Sequence, residues 1–273
     1  MERLYRRGAA LAEEIAATVV PPGMVALWFL GQASIALKSG DAVVYVDPYF
    51  SDNPHRVYPT PLSTGDLTRA DWVFCTHNHL DHLDVATLAP ISQRFPTCQF
   101  VVPAPHVAVL TGAGIPAGQV HAARAGRRLS WPELAVTPLR AKHEEFEQDA
   151  NGDHLYLGFV IELDGIRVFH SGDTVGFECQ AQDLTPLRPH IAFLPINGRD
   201  WYRNRSNVAG NMNYRESLDL AVAAGVDLIV PIHYDLFAGN TENPAFFVDH
   251  LYRTAPAQKF KLFAVGERML YVP

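Results

Sequence analysis

Four side chains of the kinds that bind metal ions lie within six consecutive positions, directly after the apolar run at residues 72–75. They are His77, His79, Asp81 and His82. The apolar run is typical of a buried strand. His77 and His79 are two positions apart in an extended segment, so they point the same way and can share one cation. Asp81 and His82 follow after a turn and can reach a second cation.

The ligand types in this segment indicate which metals it would bind. Imidazole and carboxylate together suit zinc, manganese or iron, and the absence of a cysteine ligand argues against a structural cysteine-type zinc site. The alternative is an exposed histidine-rich loop that binds nothing. The specific spacing, and further candidate ligands downstream in the chain, favour the metal site.

The pattern Thr-His-x-His-x-Asp-His at residues 76–82 resembles the signature of the metallo-β-lactamase superfamily. Further motifs follow in the family's order at His143, at residues 171–174 and at residues 231–235. The resemblance implies an α/β fold, a four-layer αββα sandwich of the metallo-β-lactamase type. It places a dinuclear site at one end of the two sheets.

The resemblance also implies a role for each candidate residue. Two divalent metal ions, manganese or zinc, would be held by seven side chains, which are His77, His79, Asp81, His82, His143, Asp173 and His233. His143 would complete the first site and His233 the second, with Asp173 bridging them; a surface histidine and a turn-capping aspartate are the plainer interpretations of His143 and Asp173. Asp47, at a strand end before Pro48, would support the histidine loop from behind, although a strand-end turn explains it equally well.

Two cations that share a solvent oxygen lower its pKa far enough to give a hydroxide near neutral pH. Such a nucleophile attacks a carbonyl carbon or a phosphorus atom, and the metals stabilise the oxyanion that develops. Asp81 would hold the hydroxide and carry a proton to the leaving group, which makes it the candidate catalytic residue. The expected reaction is therefore hydrolysis.

A polar segment after the apolar run at residues 190–195 holds most of the candidate substrate-binding residues, which are Asn197, Arg199, Arg203, Arg205 and, further on, Tyr234. Guanidinium groups bind phosphate or carboxylate in pairs, and amide and phenol groups suit sugar hydroxyls. A solvated loop in which Arg199 pairs with Asp200 is an equal alternative.

This segment, together with the opening at residues 22–31, residues 170–173 and residues 231–235, resembles the L-ascorbate-6-phosphate lactonase branch of the superfamily. That branch implies a cytoplasmic, metal-dependent homo-oligomer that opens a lactone of a phosphorylated or carboxylated sugar acid. The chain departs from the branch at His143, where the lactonase has a carboxylate, and it is shorter. A phosphodiesterase that uses the same dinuclear site and a non-catalytic metal-binding protein are the alternatives.

Composition narrows the class of protein further. The 273 residues are 48% hydrophobic, with a formal net charge of −7 and three widely spaced cysteines. This charge disfavours nucleic-acid binding but permits a small anionic substrate, and the cysteines suit a reducing cytoplasm. No apolar run is long enough to span a membrane. We expect one domain over residues 1–273, with an N-terminal helical extension at residues 1–20.

Strands and helices must bring the candidate ligands together. Apolar periodicity predicts an amphipathic helix at residues 2–19, an irregular loop at 49–69, and a closing pair of strands at 260–265 and 268–272. Between them, the pattern predicts strands at 24–30, 33–38, 42–47, 99–102, 119–122, 127–130, 134–140, 155–163, 166–170, 190–195 and 227–232. It predicts further helices at 84–94, 105–112, 214–224 and 245–253.

Overall fold

The structure is a computed structural model that describes residues 5–206 and 208–273. In this part of the chain, fourteen strands form two seven-stranded sheets that pack face to face. Residues 2–4 of the predicted N-terminal helix, and Asn207 in the polar segment, lie outside the described residues. No described helix is both long and apolar enough to cross a bilayer.

Each sheet is partly antiparallel and partly parallel. The first sheet has the order β14-β1-β2-β3-β4-β5-β6 and the second has the order β13-β12-β11-β10-β9-β8-β7. The strands are β1 Val25–Gly31, β2 Ser34–Ser39, β3 Ala42–Val46, β4 Trp72–Phe74, β5 Gln99–Pro103, β6 Val120–Ala123, β7 Leu129–Ser130, β8 Ala135–Arg140, β9 Leu157–Leu163, β10 Ile166–His170, β11 Ile191–Pro195, β12 Leu228–Ile232, β13 Lys259–Phe260 and β14 Arg268–Tyr271. Strands β3 to β6 are parallel to one another, as are β10 to β13.

Helices cover the outer face of each sheet. They are α1 Gly8–Ala17, α2 Val85–Arg94, α3 Val107–Gly112, α4 Gln180–Leu184, α5 Trp201–Arg205, α6 Tyr214–Ala223 and α7 Pro244–Thr254. Helices α1 to α3 pack on the first sheet, and α4, α6 and α7 pack on the second. The layers therefore run helix, sheet, sheet, helix, which confirms the predicted four-layer sandwich.

The strands are apolar along their length because both faces of each sheet are buried. Alternate residues of a strand point to opposite faces. In β1, Leu27 and Phe29 join the core between the sheets, whereas Trp28 and Leu30 join the core under the first helical layer. This double burial explains the near-continuous apolar runs in the sequence.

The predicted strands and helices of residues 24–254 begin and end within two residues of the observed ones. The N-terminal helix is shorter than predicted and begins at Gly8, and its side chains Leu11 and Ile15 are fully buried against the first sheet. The helix therefore packs on the chain's own sandwich, which amphipathic periodicity alone does not decide.

The closing pair of strands is confirmed only in its second member, since β14 covers residues 268–271 of the predicted 268–272. Of the predicted segment 260–265 only Phe260 is in a strand, β13, which pairs with β12 in the second sheet. The last strand, β14, pairs with β1 in the first sheet. Periodicity reports which residues are buried but not which sheet buries them, so it did not show that the two closing strands enter different sheets.

Two short helices were also missed. Helix α4 precedes β11, and α5 lies in the segment predicted to be a polar loop. Asp200 caps α5, since its side chain accepts a hydrogen bond from the Arg203 amide at 2.9 Å. One capped turn leaves little hydrophobic periodicity to detect.

Candidate metal centre

Each predicted metal ligand lies just beyond the carboxyl end of a strand. The histidine loop follows β4, His143 follows β8, Asp173 follows β10, and His233 follows β12. Parallel strands have their carboxyl ends at the same edge of a sheet, and both sheets contribute here. The ligands therefore meet in the cleft at one end of the sandwich.

The first cluster contains three imidazoles and one carboxylate. His77, His79, His143 and Asp173 each offer one ligand atom, and these atoms all lie within 4.8 Å of one another. The ring centroids of His77 and His79 are 4.6 Å apart, and those of His79 and His143 are 4.9 Å apart. Three imidazoles and a carboxylate form a donor set that suits a divalent transition metal.

The second cluster contains one carboxylate and two imidazoles. The ligand atoms of Asp81, His82 and His233 also lie within 4.8 Å of one another. Oδ2 of Asp81 is 3.7 Å from Nε2 of His82 and 3.5 Å from Nε2 of His233. The rings of His82 and His233 are stacked, with centroids 5.7 Å apart.

The Asp173 carboxylate lies between the two clusters. Its Oδ1 is 3.3 Å from Nε2 of His82, and its Oδ2 is 3.2 Å from Nε2 of His233. The same Oδ2 is 3.5 Å from Nε2 of His143 in the first cluster. One carboxylate thus contacts side chains of both clusters, and its role as a bridging ligand stays a prediction.

Asp47 supports the histidine loop through three hydrogen bonds. Its Oδ2 accepts from Nδ1 of His82 and from the Thr76 hydroxyl, both at 2.7 Å, and its Oδ1 accepts from the Thr76 amide at 2.7 Å. The Thr76 hydroxyl is in turn 3.0 Å from Nδ1 of His77. With both Nδ1 atoms engaged, the Nε2 atoms of His77 and His82 are the ones left for a ligand.

Two residues to which the sequence assigned no role complete the support of the site. His170 accepts the Gly172 amide on Nδ1 at 3.2 Å. Its Nε2 donates to the carbonyl of Ala33 at 2.8 Å. Gln32, from the turn between β1 and β2, contacts Asp81 and His233. No periodicity or ligand motif marks Gln32 in the sequence.

The turn that carries Asp173 requires a glycine. Gly172 has a φ of +59°, and a Cβ atom there would lie 2.7 Å from Cβ of Thr76. This close contact brings the Asp173 turn against the residue that positions His77 and His82. The Ser-Gly-Asp motif in the sequence therefore reflects a packing requirement as well as a ligand.

The pKa shifts of the histidines run in opposite directions in the two clusters. Burial and the neighbouring His82 hold the pKa of His77 well below its usual value, and burial and His143 lower the pKa of His79. Burial would also lower the pKa of His82 and His233, but Asp173 and Asp81 outweigh it. The pKa of His82 is raised well above its usual value and that of His233 is raised to about 9.

Several buried atoms of the clusters form no hydrogen bond with the described residues. They include Nε2 of His77, and also Nε2 of His82 and Oδ1 of Asp173, whose contact is the 3.3 Å ion pair between them. Buried polar atoms in proteins are nearly always paired, so unpaired atoms that converge on one place indicate a missing ligand. Nitrogen and carboxylate donors in this number fit a divalent cation.

The three arginines of the predicted substrate site contact other side chains of the protein. Arg199 donates from both terminal nitrogens to Glu216, each at 2.7 Å, rather than to Asp200. Arg203 pairs with Asp200 and donates to the carbonyl of Thr241 at 2.7 Å. The guanidinium of Arg205 lies 5.2 Å from the centre of the Trp201 ring. The structure does not bring the three guanidinium groups together on one ligand position.

Of the two other predicted substrate residues, Asn197 is held inside the protein and Tyr234 lines a cavity. Asn197 is fully buried, donates to Oδ1 of Asn240 at 2.8 Å and accepts from Asn211 at 3.2 Å. It therefore links two loops. Tyr234 lines a cavity of about 540 Å³ together with Asp235, the residue after it. A larger cavity, of about 690 Å³, lies at the opposite end of the sandwich and contains none of the candidate metal ligands.

Comparison with known proteins places the chain in a family. Residues 43–234 match the family described as the Beta-lactamase superfamily domain. A UPF0173 metal-dependent hydrolase from Methanoculleus marisnigri is 29% identical over 245 residues, covering 88% of this chain and 94% of that protein.

Solved structures have the same architecture. Igni18, described as a novel metallo hydrolase from Ignicoccus hospitalis, aligns with a TM-score of 0.73 at 23% identity over 91% of this chain and 99% of its own. The isothiocyanate hydrolase from Delia radicum gut bacteria aligns with a TM-score of 0.70 at 19% identity, covering 89% of this chain and 98% of its own. The matched family spans the histidine loop, His143, Asp173 and His233, so the chain belongs to the beta-lactamase superfamily and has its metallo-β-lactamase fold.

Proposed function

We propose that the protein is a metal-dependent hydrolase whose two side-chain clusters hold two divalent cations, manganese or zinc. The observation that carries the proposal is the position of Asp173, whose carboxylate contacts His82, His233 and His143 from two separate clusters. A single cation would not need a carboxylate shared in this way. The similar proteins from Methanoculleus marisnigri and Ignicoccus hospitalis are described as a metal-dependent hydrolase and a metallo hydrolase, which supports the same activity.

The donor set supplies a specific kind of chemistry. A divalent cation bound there would act as a Lewis acid that activates water and stabilises negative charge on the substrate. The first cation would be held by His77, His79 and His143, the second by His82, His233 and Asp81, with Asp173 between them.

Asp81 differs from the other ligands in its exposure. Its side chain is 20% exposed, whereas that of Asp173 is 5% exposed. Its Oδ2 faces His82 and His233, which leaves Oδ1 to accept and pass on a proton. We therefore assign Asp81 as the residue that orients the attacking water and carries a proton to the leaving group.

For the substrate we propose a small lactone of a phosphorylated or carboxylated sugar acid, as the sequence motifs suggest. The arginine contacts described above do not add to this proposal, because Arg199 and Arg203 are paired within the protein. A phosphodiester is the alternative, since the same nucleophile and the same charge stabilisation act on phosphorus.

The test is hydrolysis of L-ascorbate 6-phosphate, of an uncharged lactone and of a phosphodiester by chelator-stripped protein reloaded with manganese or zinc. Asp81→Asn should lose at least about a hundredfold in turnover, because proton transfer by a positioned carboxylate contributes that much. Asp71→Asn is the matched control; Asp71 accepts from the amide of Val43 and from Arg69, far from the clusters.

Which of the three test substrates is hydrolysed decides between the lactonase and the phosphodiesterase. Ring opening of the phosphorylated lactone supports the lactonase, and cleavage of the phosphodiester alone supports the alternative. Two bound metals without turnover of any of the three would argue against both. If metal analysis finds no bound ion, the hydrolase proposal itself fails.

A further inference from the structure

Gln32 is a buried polar residue in an unusual backbone conformation. It lies in the turn between β1 and β2, is 1% exposed and has a φ of +57°. Residues other than glycine seldom adopt this left-handed conformation, and where they do the surrounding contacts must hold them in place. The contacts of Gln32 therefore indicate what the turn is built to do.

The backbone of Gln32 is joined to the strand end that carries His233. Its carbonyl accepts the amide of His233 at 2.8 Å, and its own amide donates to Oδ1 of Asp235 at 3.3 Å. His233 is itself left-handed, with a φ of +60°. These bonds connect the first sheet to the second at the metal centre, so the position of Gln32 is set by the same contacts that place His233.

The side chain of Gln32 reaches the second cluster. Its Nε2 is 2.9 Å from Oδ2 of Asp81 and 2.9 Å from Nε2 of His233. Nitrogen rather than oxygen must face Asp81, since an amide oxygen would repel the carboxylate. Oδ2 is also the Asp81 oxygen that faces His82 and His233. Gln32 thus donates a hydrogen bond to the oxygen that would bind a cation.

A carboxylate held by such a donor keeps one orientation, and partners of this kind usually change metal affinity when they are removed. We propose that Gln32 is a positioning residue that fixes the orientation of Asp81 and thereby sets how tightly the second cluster holds its cation. This proposal rests on the two-cation site proposed above. The first cluster is oriented by other contacts, including that of Thr76 with His77, so it should not depend on Gln32.

Gln32→Asn is the variant that tests this role. Asparagine tolerates the left-handed conformation better than most residues, so the turn should fold, but its side chain is one methylene too short to keep the Asp81 contact. Gln32→Met keeps the length and removes the amide. Gln119→Asn is the matched control: Gln119 is also buried, and its amide bonds Ser92 and the carbonyl of Cys98, away from the clusters.

The measurement is calorimetric titration of chelator-stripped protein with Mn²⁺ or Zn²⁺, with thermal unfolding of the stripped proteins alongside. Wild type and Gln119→Asn should bind two ions per chain. Gln32→Asn and Gln32→Met should bind the first ion unchanged and the second about 10- to 100-fold more weakly.

Different outcomes refute different claims. If wild type binds two ions and both Gln32 variants match it, the role of Gln32 is refuted while the two-cation site stands. Equal weakening of both ions would also refute it, because a general loss of structure would explain that result. If wild type binds fewer than two ions, the two-cation site is refuted and the role of Gln32 with it.

Discussion

The carboxylate of Asp47 lies 2.7 Å from Nδ1 of His82, and neither side chain is exposed to solvent. The same carboxylate also accepts two hydrogen bonds from Thr76. All three of its partners are donors. Only a group that accepts on both oxygens satisfies them, and a carboxylate is such a group.

Asp47→Asn should therefore weaken metal binding without removing a ligand. The NH₂ group of the asparagine would face either the Thr76 amide or the pair formed by the Thr76 hydroxyl and Nδ1 of His82. In either orientation, at least one contact would bring two hydrogen-bond donors together. We expect metal affinity to fall by about 10- to 100-fold, measured by competition with a chelator of known affinity. Asp71→Asn should leave affinity unchanged, and an Asp47→Asn protein with wild-type affinity would show that this contact does not orient His82.

Gly172→Ala should destabilise the protein through a clash with Thr76. The new Cβ would approach Cβ of Thr76 to 2.7 Å, at a φ of +59°. Gly114→Ala is a matched control, because Gly114 also has a positive φ, of +86°, but a Cβ there meets no described atom within 4 Å. The difference in unfolding free energy should be about 1–3 kcal/mol, measured with denaturant. Equal losses would mean that the backbone conformation alone matters.

Metal removal should lower the thermal stability of the protein. The clusters contain buried atoms without hydrogen-bond partners in the described chain, including Nε2 of His77 and of His82, and a cation that binds only the folded state would pair them. An ion present at a hundred times its dissociation constant adds about 2.7 kcal/mol. We expect the melting temperature of stripped protein to rise by about 5 °C on addition of Zn²⁺ or Mn²⁺. An unchanged melting temperature would contradict a folded-state cation site.

Glu216→Gln should reduce stability in a pH-dependent way. Burial would raise the pKa of Glu216, but hydrogen bonds from Arg199 and from the Asn213 amide outweigh it and lower the pKa below its usual value. A carboxyl with a lowered folded-state pKa stabilises the fold above its unfolded pKa, and this contribution is lost as the pH falls through the folded value.

Because Glu216 is partly exposed, we expect the variant to lose only about 1 kcal/mol at pH 7. The difference from wild type should shrink below about pH 4. Denaturant unfolding at pH 7 and at about pH 3.5 measures it, with Glu133→Gln, at an exposed site, as the control. A difference that does not change with pH would mean that the lost interaction is not ionic.

Local signals account for the parts of the fold and site that could be predicted. Apolar runs located most strands, and the histidine loop after β4 indicated a candidate metal site because its candidate ligands are neighbours in sequence. The family resemblance added His143, Asp173 and His233, which the structure brings within contact of that loop. Asp47 remained ambiguous, since a turn and a hydrogen-bond acceptor look the same in the chain.

The sequence by itself determined the periodic burial of the strands and helices and the chemical types of the candidate metal ligands, because both are properties of neighbouring residues. Only the tertiary structure decided that β13 and β14 enter different sheets, that Arg199 is bound to Glu216, and that Gln32 reaches Asp81. Each of these arrangements depends on residues that are not neighbours in the chain. Its energy depends on which surfaces meet after folding, and no local pattern of side chains contains that information.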